Sequence, residues 1–242
     1  MYLIFWYELK RLIFNKLFLA LLIISCLYSF LILSRETIMG IAFTAPFSPW
    51  SFGYYLAKVL PLLMVTLLFF VTFMYSNHEK LVRQLTFAAP INPFMLCLVK
   101  CFGIMAGFLA ITLFVVLQCM IFFVVLFRFT NFGNFIIPFV ITIIPCLLFF
   151  LGAGLLLGGL EVNILYVLMI AALLLGFLRG SLPLPAFFDL YGSRFFSTHP
   201  LSLPLDLNGE GPFLLPVSFI FGRVFFSGVG AFMAFLGIKR YK

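Results

Sequence analysis

The side chains that could carry out catalysis are few in this sequence, and they are far apart. The two histidines, His78 and His199, fall in different polar segments of the chain, and we do not expect them to act together. The sequence contains no His-Glu-x-x-His, no Gly-x-Ser-x-Gly and no Gly-x-x-x-x-Gly-Lys-Ser/Thr motif. These are the motifs of metalloproteases, serine hydrolases and P-loop ATPases. We therefore predict that the chain is not an enzyme by itself and does not bind ATP.

The cysteines do not form a metal-binding pattern. All five lie within apolar stretches and none belongs to a Cys-x-x-Cys pair: Cys26, Cys97, Cys101, Cys119 and Cys146. Cys97 and Cys101 share a helical face, but no His or acidic residue lies nearby in the sequence. We interpret the cysteines as small apolar residues and predict that the chain binds no metal ion and no cofactor.

Two cations within apolar stretches are candidates for function. Arg223 is the stronger one, because an arginine in a membrane-spanning segment commonly faces a substrate path or a wet cavity. The alternatives are an arginine whose charged end reaches the membrane surface and a structural arginine that pairs with Asp206 or Glu210. Lys58 lies close to the end of its apolar segment, so its ammonium group can also reach the membrane surface.

The overall composition is that of a polytopic membrane protein. Of the 242 residues, 65% are hydrophobic and 9% are charged, whereas a soluble domain has about 45–50% apolar and about 25% charged residues. The chain therefore lacks the polar residues needed to cover a water-soluble globule. The net charge of +8 would suggest nucleic acid binding in a soluble protein, but here it reports orientation in the bilayer, and we expect no nucleic acid partner.

We predict an all-α membrane protein with six transmembrane helices, because about 20 apolar residues are needed to cross the hydrocarbon core. The expected spans are residues 17–34, 56–75, 101–127, 135–157, 164–178 and 214–238. With the N-terminus in the cytoplasm, nine Lys and Arg residues fall on the inner side and four on the outer side. The positive-inside rule therefore favours cytoplasmic N- and C-termini.

Three segments outside the spans have distinctive patterns. Residues 1–16 mix aromatic, apolar and charged side chains, with Glu8 and Arg11 on one helical face, which is typical of an interfacial helix; the alternative is a simple lead into the first span. Residues 76–93 predict a short amphipathic helix that ends at the prolines of the loop. Such a helix could dock a partner, and the alternative is a solvated loop that only joins two spans.

The third segment, residues 179–213, is rich in proline and yet aromatic, with Phe187, Phe188 and Tyr191 near its centre. The preceding span of 15 residues covers only about 22 Å of a hydrocarbon core about 30 Å thick. Both features predict a re-entrant outer segment before the sixth span, covered by protein or lining a cavity. We expect these three aromatic residues, with Arg223 and Lys58, to line a path or form its gate.

The layout resembles the membrane subunits of type 2 ABC exporters, the short bacterial permeases made without an attached ATPase. The best local match is the loop after the second span, which carries Glu79, Leu81, Leu85, the turn Pro90-Ile91-Asn92, and Lys100 at the opening of the third span. One departure is that Val82-Arg83-Gln84 replaces the small or Gly residue that usually follows the Glu.

The resemblance implies a multi-pass permease of the bacterial cytoplasmic membrane that pairs with a second permease subunit, identical or related. A separate ABC ATPase subunit would bind ATP and Mg²⁺. The loop helix would be the coupling helix, in which Glu79, Lys80 and Arg83 make polar contacts to the ATPase and Leu81 and Leu85 are buried against it. The exported substrate in such a family is typically a lipid, an antibiotic or a hydrophobic peptide.

Two other classes of protein compete with this interpretation. A secondary carrier or channel that needs no ATPase would be expected to show internal repeats with broken spans in matching halves, and no clear repeat relates the two halves of this sequence. An intramembrane enzyme would need a catalytic set of residues, which the sequence lacks.

Overall fold

The computed structural model describes residues 2–76, 79, 93–177, 189–202 and 213–240. All regular structure in these ranges is helical, which confirms the predicted helical class for this part of the chain. The helices are α1 (Tyr2–Ile13), α2 (Lys16–Ile32), α3 (Pro49–Met74), α4 (Pro93–Phe127), α5 (Ile136–Gly158), α6 (Val162–Phe177), α7 (Ser193–Thr198) and α8 (Val217–Arg240). A π-helical turn, Leu33–Thr37, prolongs α2.

Five of these helices are long and apolar enough to cross a membrane: α2 with its π-helical turn, α3, α4, α5 with the turn before it, and α8. The chain is therefore described as a multi-pass membrane protein. Helix α6 is also apolar but has only 16 residues.

Two helices begin earlier than the apolar pattern predicts. Helix α3 begins at Pro49 rather than at residue 56, because the Ser48 hydroxyl accepts a hydrogen bond from the Ser51 amide at 3.2 Å and a proline is well suited to the first turn. Helix α4 begins at Pro93 rather than at residue 101. The predicted span began just after Lys100, at the end of the loop. The structure corrects this, since Lys100 lies inside α4 and is buried.

Helix α3 is the centre of the bundle, with residues buried along nearly its whole length. One of its polar side chains joins three helices. The Tyr55 hydroxyl donates a hydrogen bond to the Val115 carbonyl of α4 at 3.1 Å and lies 2.5 Å from the Ser29 hydroxyl of α2. The Ser29 hydroxyl can donate to the tyrosine oxygen, so both hydroxyl groups are satisfied within the apolar interior.

Glycines allow α5 and α8 to pack backbone to backbone. A Cβ atom added at Gly152 would lie 2.1 Å from the Gly230 carbonyl oxygen, and one at Gly230 would lie 2.4 Å from the Leu148 carbonyl carbon. Small residues at helix interfaces permit such close approach in membranes. Gly228, two residues away on α8, faces open space, so the close contact depends on which side of the helix the glycine occupies.

The C-terminal ends of α3, α5 and α8 lie together with α1 at one end of the bundle. The Tyr75 hydroxyl, just after α3, donates to the Leu155 carbonyl of α5 at 2.8 Å. A Cβ atom at Gly237 of α8 would lie 2.9 Å from the same residue. Helix α1 lies against the first half of α4, where a Cβ atom at Gly107 would meet the Leu12 side chain at 2.5 Å. We call this end of the bundle the α1 end.

Aromatic rings hold the 189–202 segment at the opposite end. Trp50, in the first turn of α3, lies 6.0 Å from Phe195 between ring centroids and 4.7 Å from Phe213. Phe195 in turn stacks on Phe219 of α8 at 3.7 Å. The segment that contains α7 is therefore packed on the starts of α3 and α8.

Candidate functional site

The strongest cluster of charged groups lies at the α1 end. Helix α1 places Glu8 and Arg11 one turn apart on the side that faces α4, and their side chains form an ion pair at 2.8 Å. Helix α1 stops at Ile13, and the Asn15 side chain caps the start of α2 by accepting from the Leu17 amide at 3.1 Å. This break separates α1 from the first long helix, so α1 can lie along the bundle with its charged side inward.

Two further charges from distant parts of the chain complete the cluster. Glu79, five residues beyond the end of α3, accepts a short hydrogen bond from the Lys100 ammonium of α4 and lies 2.5 Å from the Arg11 guanidinium. The Lys100 ammonium also lies 3.9 Å from the Glu8 carboxylate. Two carboxylates and two cations therefore alternate, and we call these four residues the ion cluster.

The ion cluster is largely removed from water. The side chains of Glu79 and Lys100 are 5% and 8% exposed, whereas that of Arg11 is 41% exposed and forms the outer edge. Charged groups are rarely buried to this degree unless they are paired. The formal charges sum to zero, so the cluster connects α1, α4 and the Glu79 segment without adding net charge to the interior.

The two carboxylates have opposite pKa shifts. Burial raises the pKa of Glu8, and the nearby charges of Lys100 and Arg11 only partly offset this effect. Burial also acts to raise the pKa of Glu79, but the hydrogen bond and charge of Lys100, together with Arg11, outweigh it and hold the pKa below its ordinary value. Mild acid is therefore expected to protonate Glu8 first and to leave the Glu79–Lys100 pair intact.

A cavity of about 260 Å³ opens beside the ion cluster. All four cluster residues line it, and its other side is apolar, with Phe18, Phe70, Phe73, Met74 and Ile104 among the lining residues. The aromatic wall comes from the start of α2 and the end of α3, so five segments of the chain meet here: α1, α2, α3, α4 and the Glu79 segment. Because its polar side has no net charge and its opposite side is apolar, the cavity can hold part of an amphiphile. The contacts around it can also transmit small movements of one segment to the others.

The predicted coupling residues are only partly described. Glu79 lies in the ion cluster and its carboxylate faces two cations of its own chain. Lys80, Leu81, Arg83 and Leu85 lie outside the described residues. Sequence reasoning missed Lys100 as a partner of Glu79, although the apolar run that starts at Pro93 was a signal that Lys100 belongs to a helix.

Arg223 and Tyr191, two of the predicted path residues, make structural contacts in the half of the bundle opposite the α1 end. Arg223 is 3% exposed, donates a hydrogen bond to the Leu190 carbonyl, and lies 4.5 Å from the centre of the Phe219 ring. Tyr191 is fully buried and donates to the Ala172 carbonyl of α6 at 2.9 Å. Together they attach the 189–202 segment to α8 and α6.

The remaining candidates are less informative. Lys58 lies 3.3 Å from the Glu36 carboxylate and 5.3 Å from the centre of the Tyr54 ring, so its charge is paired near the end of α2. Phe187 and Phe188 lie outside the described residues, as do Asp206 and Glu210, the suggested partners of Arg223.

The cysteines are packed as apolar side chains. Cys97, Cys119 and Cys146 are fully buried, and the Cys146 thiol lies 3.0 Å from the Leu190 carbonyl. In the ranges that the structure describes, no three His, Cys, Asp or Glu side chains come together in a way that could hold a metal ion.

No family model, curated protein or solved structure matches this chain. Its function is therefore argued from the site and from the resemblance of its layout.

Proposed function

We propose that this chain is the permease subunit of an ATP-driven ABC exporter, which moves a hydrophobic or amphipathic substrate out across the bacterial cytoplasmic membrane. A separate ABC ATPase subunit, which binds ATP and Mg²⁺, and a second permease subunit complete the transporter. Helix α6, the counterpart of the predicted span at residues 164–178, would cross the membrane in addition to the five long helices. Its 16 residues cover about 24 Å, so the bilayer would thin locally or the 189–202 segment would dip into the membrane beside it.

The observation that carries this proposal is the ion cluster. The resemblance places the coupling helix within residues 76–93, and Glu79 belongs to this segment. A force that the ATPase exerts on this segment would be transmitted through Glu79 directly to Lys100 in α4 and Arg11 in α1. Buried, hydrogen-bonded ion pairs resist separation, because leaving either charge alone in the interior is costly.

The apolar cavity wall supports the same function. Phe70, Phe73 and Met74 belong to the last turns of α3, the central helix of the bundle. A displacement of the Glu79 segment would therefore act on the end of α3 as well as on α4. In this mechanism ATP-driven closure of the partner is converted into movement of two central spans, and the substrate leaves at the opposite end of the bundle.

The first experiment is co-purification of the complex. The tagged chain is expressed with the genes that neighbour its own, solubilised in mild detergent and purified, and the bound subunits are identified. The expected result is a stable complex with a nucleotide-binding subunit whose ATPase activity is present in proteoliposomes. Absence of any such subunit under these conditions contradicts the proposal.

The second experiment separates coupling from assembly. In the reconstituted complex, E79A/R83A is expected to keep the ATPase subunit bound but to lower transport per ATP hydrolysed by about tenfold or more, which corresponds to about 1.4 kcal/mol of lost coupling. The matched control is E161Q, since Glu161 is an exposed carboxylate at the same end of the bundle. If E79A/R83A transports as well as E161Q, the proposed role of the loop is wrong.

A further inference from the structure

The outward side of α1 differs from the side that forms the ion cluster. Exposed side chains occur at positions 6, 7, 10 and 13 of α1 and at position 14 just after it, a spacing that places them on one face of a helix. They are Trp6, Tyr7, Lys10, Ile13 and Phe14, of which Trp6 is 58%, Tyr7 65% and Phe14 81% exposed. We call this surface the outer face of α1.

The charges of α1 are sorted between its two faces. Its only acidic residue, Glu8, points inward and is paired with Arg11, whereas Lys10 is exposed on the outer face. Lys16, at the start of α2, is also exposed. The outer face therefore combines large aromatic rings with the Lys10 ammonium group and carries no carboxylate, and the Lys16 ammonium group follows at the start of α2.

Other cations lie at the same end of the molecule. Lys239 and Arg240 end α8 and are exposed, and α8 reaches the α1 end through Gly237. Glu161 is the exposed acidic residue at this end among those the structure describes. The positive charge of the outer face is therefore reinforced by the surface around it.

We propose that the outer face of α1 binds anionic phospholipids of the inner leaflet in preference to zwitterionic ones. Tryptophan and tyrosine favour the headgroup level of a bilayer, which places Trp6 and Tyr7 there and Phe14 at the acyl boundary. At that depth the ammonium groups of Lys10 and Lys16 reach lipid phosphates. This inference concerns the lipid partner and does not depend on whether the chain exports a substrate.

The size of the preference follows from the two lysines. Each Lys near an anionic membrane surface contributes about 1 kcal/mol, and 1.4 kcal/mol corresponds to a factor of ten. Allowing for screening by salt, the pair is expected to give about a tenfold preference for phosphatidylglycerol over phosphatidylcholine. Because the lysines are exposed, raising the salt from about 0.1 M to about 1 M, where the Debye length falls from about 10 Å to about 3 Å, should remove most of it.

The chain provides its own fluorescent reporter. It contains two tryptophans, Trp6 and Trp50, and Trp50 is fully buried at the opposite end of the bundle. The variant W50F therefore leaves Trp6 as the single reporter. It is placed in nanodiscs of phosphatidylcholine that contain increasing amounts of either brominated phosphatidylglycerol or brominated phosphatidylcholine, and quenching of Trp6 is measured.

The expected result is half-maximal quenching at about a tenfold lower mole fraction of the brominated anionic lipid. K10Q/K16Q in the W50F background should abolish the difference, and K10R/K16R should retain it. The matched control is R35Q/R128Q, which removes two exposed cations at the opposite end and should leave the preference unchanged. If W50F does not fold, the same signal is obtained as the difference between the wild type and W6F.

Three outcomes would overturn the inference. Equal quenching by the two brominated lipids would show that the outer face does not distinguish anionic from zwitterionic lipids. A preference that survives K10Q/K16Q would assign the selection to other cations. Absence of quenching by either lipid would mean that another protein surface, such as a second copy of this chain, covers the outer face.

Discussion

Replacing Glu79 by glutamine keeps the size of the side chain and removes its charge from the ion cluster. The substitution takes from Lys100 its closest partner and leaves it Glu8 at 3.9 Å. Losing a hydrogen bond between charged groups costs about 1.5–3 kcal/mol, and breaking a fully buried ion pair costs about 3–5 kcal/mol. Because Lys100 keeps one carboxylate and Arg11 is partly exposed, we expect E79Q to lower the free energy of unfolding by about 2–3 kcal/mol.

The reverse substitution should cost less. In K100Q the Glu79 carboxylate retains the Arg11 guanidinium at 2.5 Å, so we expect a loss of about 1–2 kcal/mol. The double variant E79Q/K100Q removes both charges, and a double-mutant cycle then isolates their interaction. We expect a coupling energy of about 1–2 kcal/mol between the two residues.

The assay is equilibrium unfolding in mixed detergent micelles of rising SDS content. All variants are made in a W6F background, so that fluorescence reports the buried Trp50 alone. The matched control is E161Q, since Glu161 is exposed and its removal should change the unfolding free energy by less than about 0.5 kcal/mol. A loss for E79Q no larger than that for E161Q, or a coupling energy below about 0.5 kcal/mol, would refute the argument that the ion cluster joins α1 to α4.

Three further predictions concern pH and packing. The difference in unfolding free energy between wild type and E79Q should shrink as the pH falls below about 4.3. A carboxylate with a lowered folded-state pKa stabilises the fold above its unfolded-state pKa and loses that effect as pH falls through the folded value. Unfolding titrations from about pH 5 downward test it, and an unchanged difference at about pH 3 would contradict it. G230A should destabilise the bundle by about 1–3 kcal/mol because its new methyl group meets the α5 backbone, whereas G228A, which faces open space, should not; equal unfolding curves for the two variants would contradict the packing argument. Y55F should cost about 0.6 kcal/mol, the average measured for hydrogen bonds between membrane helices, and at most about 1.7 kcal/mol, because Ser29 and the α4 carbonyl lose their partner. S29A should add little in the double variant.

Much of the fold could be predicted from local composition. An apolar run of about 20 residues is long enough to cross the hydrocarbon core as a helix. It must be helical there, because only a helix satisfies all the backbone hydrogen bonds of a single segment. Helix starts were less predictable, because they depend on caps rather than on hydropathy. The Ser48–Pro49 cap extended α3, and Pro93 extended α4 far enough to bring Lys100 inside the helix.

The candidate site was less predictable than the fold. The spacing of Glu8 and Arg11 placed them on one helical face, and Glu79 was singled out by the resemblance of its loop. Nothing in the local sequence showed that these residues would meet Lys100, because the pairing joins segments far apart in the chain. Arg223 was singled out as an intramembrane cation, but its contacts with Leu190 and Phe219 depend on how the 189–202 segment packs.

The sequence by itself determined that this chain is a helical membrane protein and where its long apolar helices lie, since partition into hydrocarbon depends on each segment alone. Only the tertiary structure decided which charges are paired, because Coulomb attraction and hydrogen bonding act through space between segments that the sequence keeps apart. It sorted the charges of α1 into an inward ion cluster, with Glu8 and Arg11, and an outward basic and aromatic face, with Lys10 and Trp6. That division gives the α1 end both of the roles proposed for it, coupling within the chain and selection of lipid outside it.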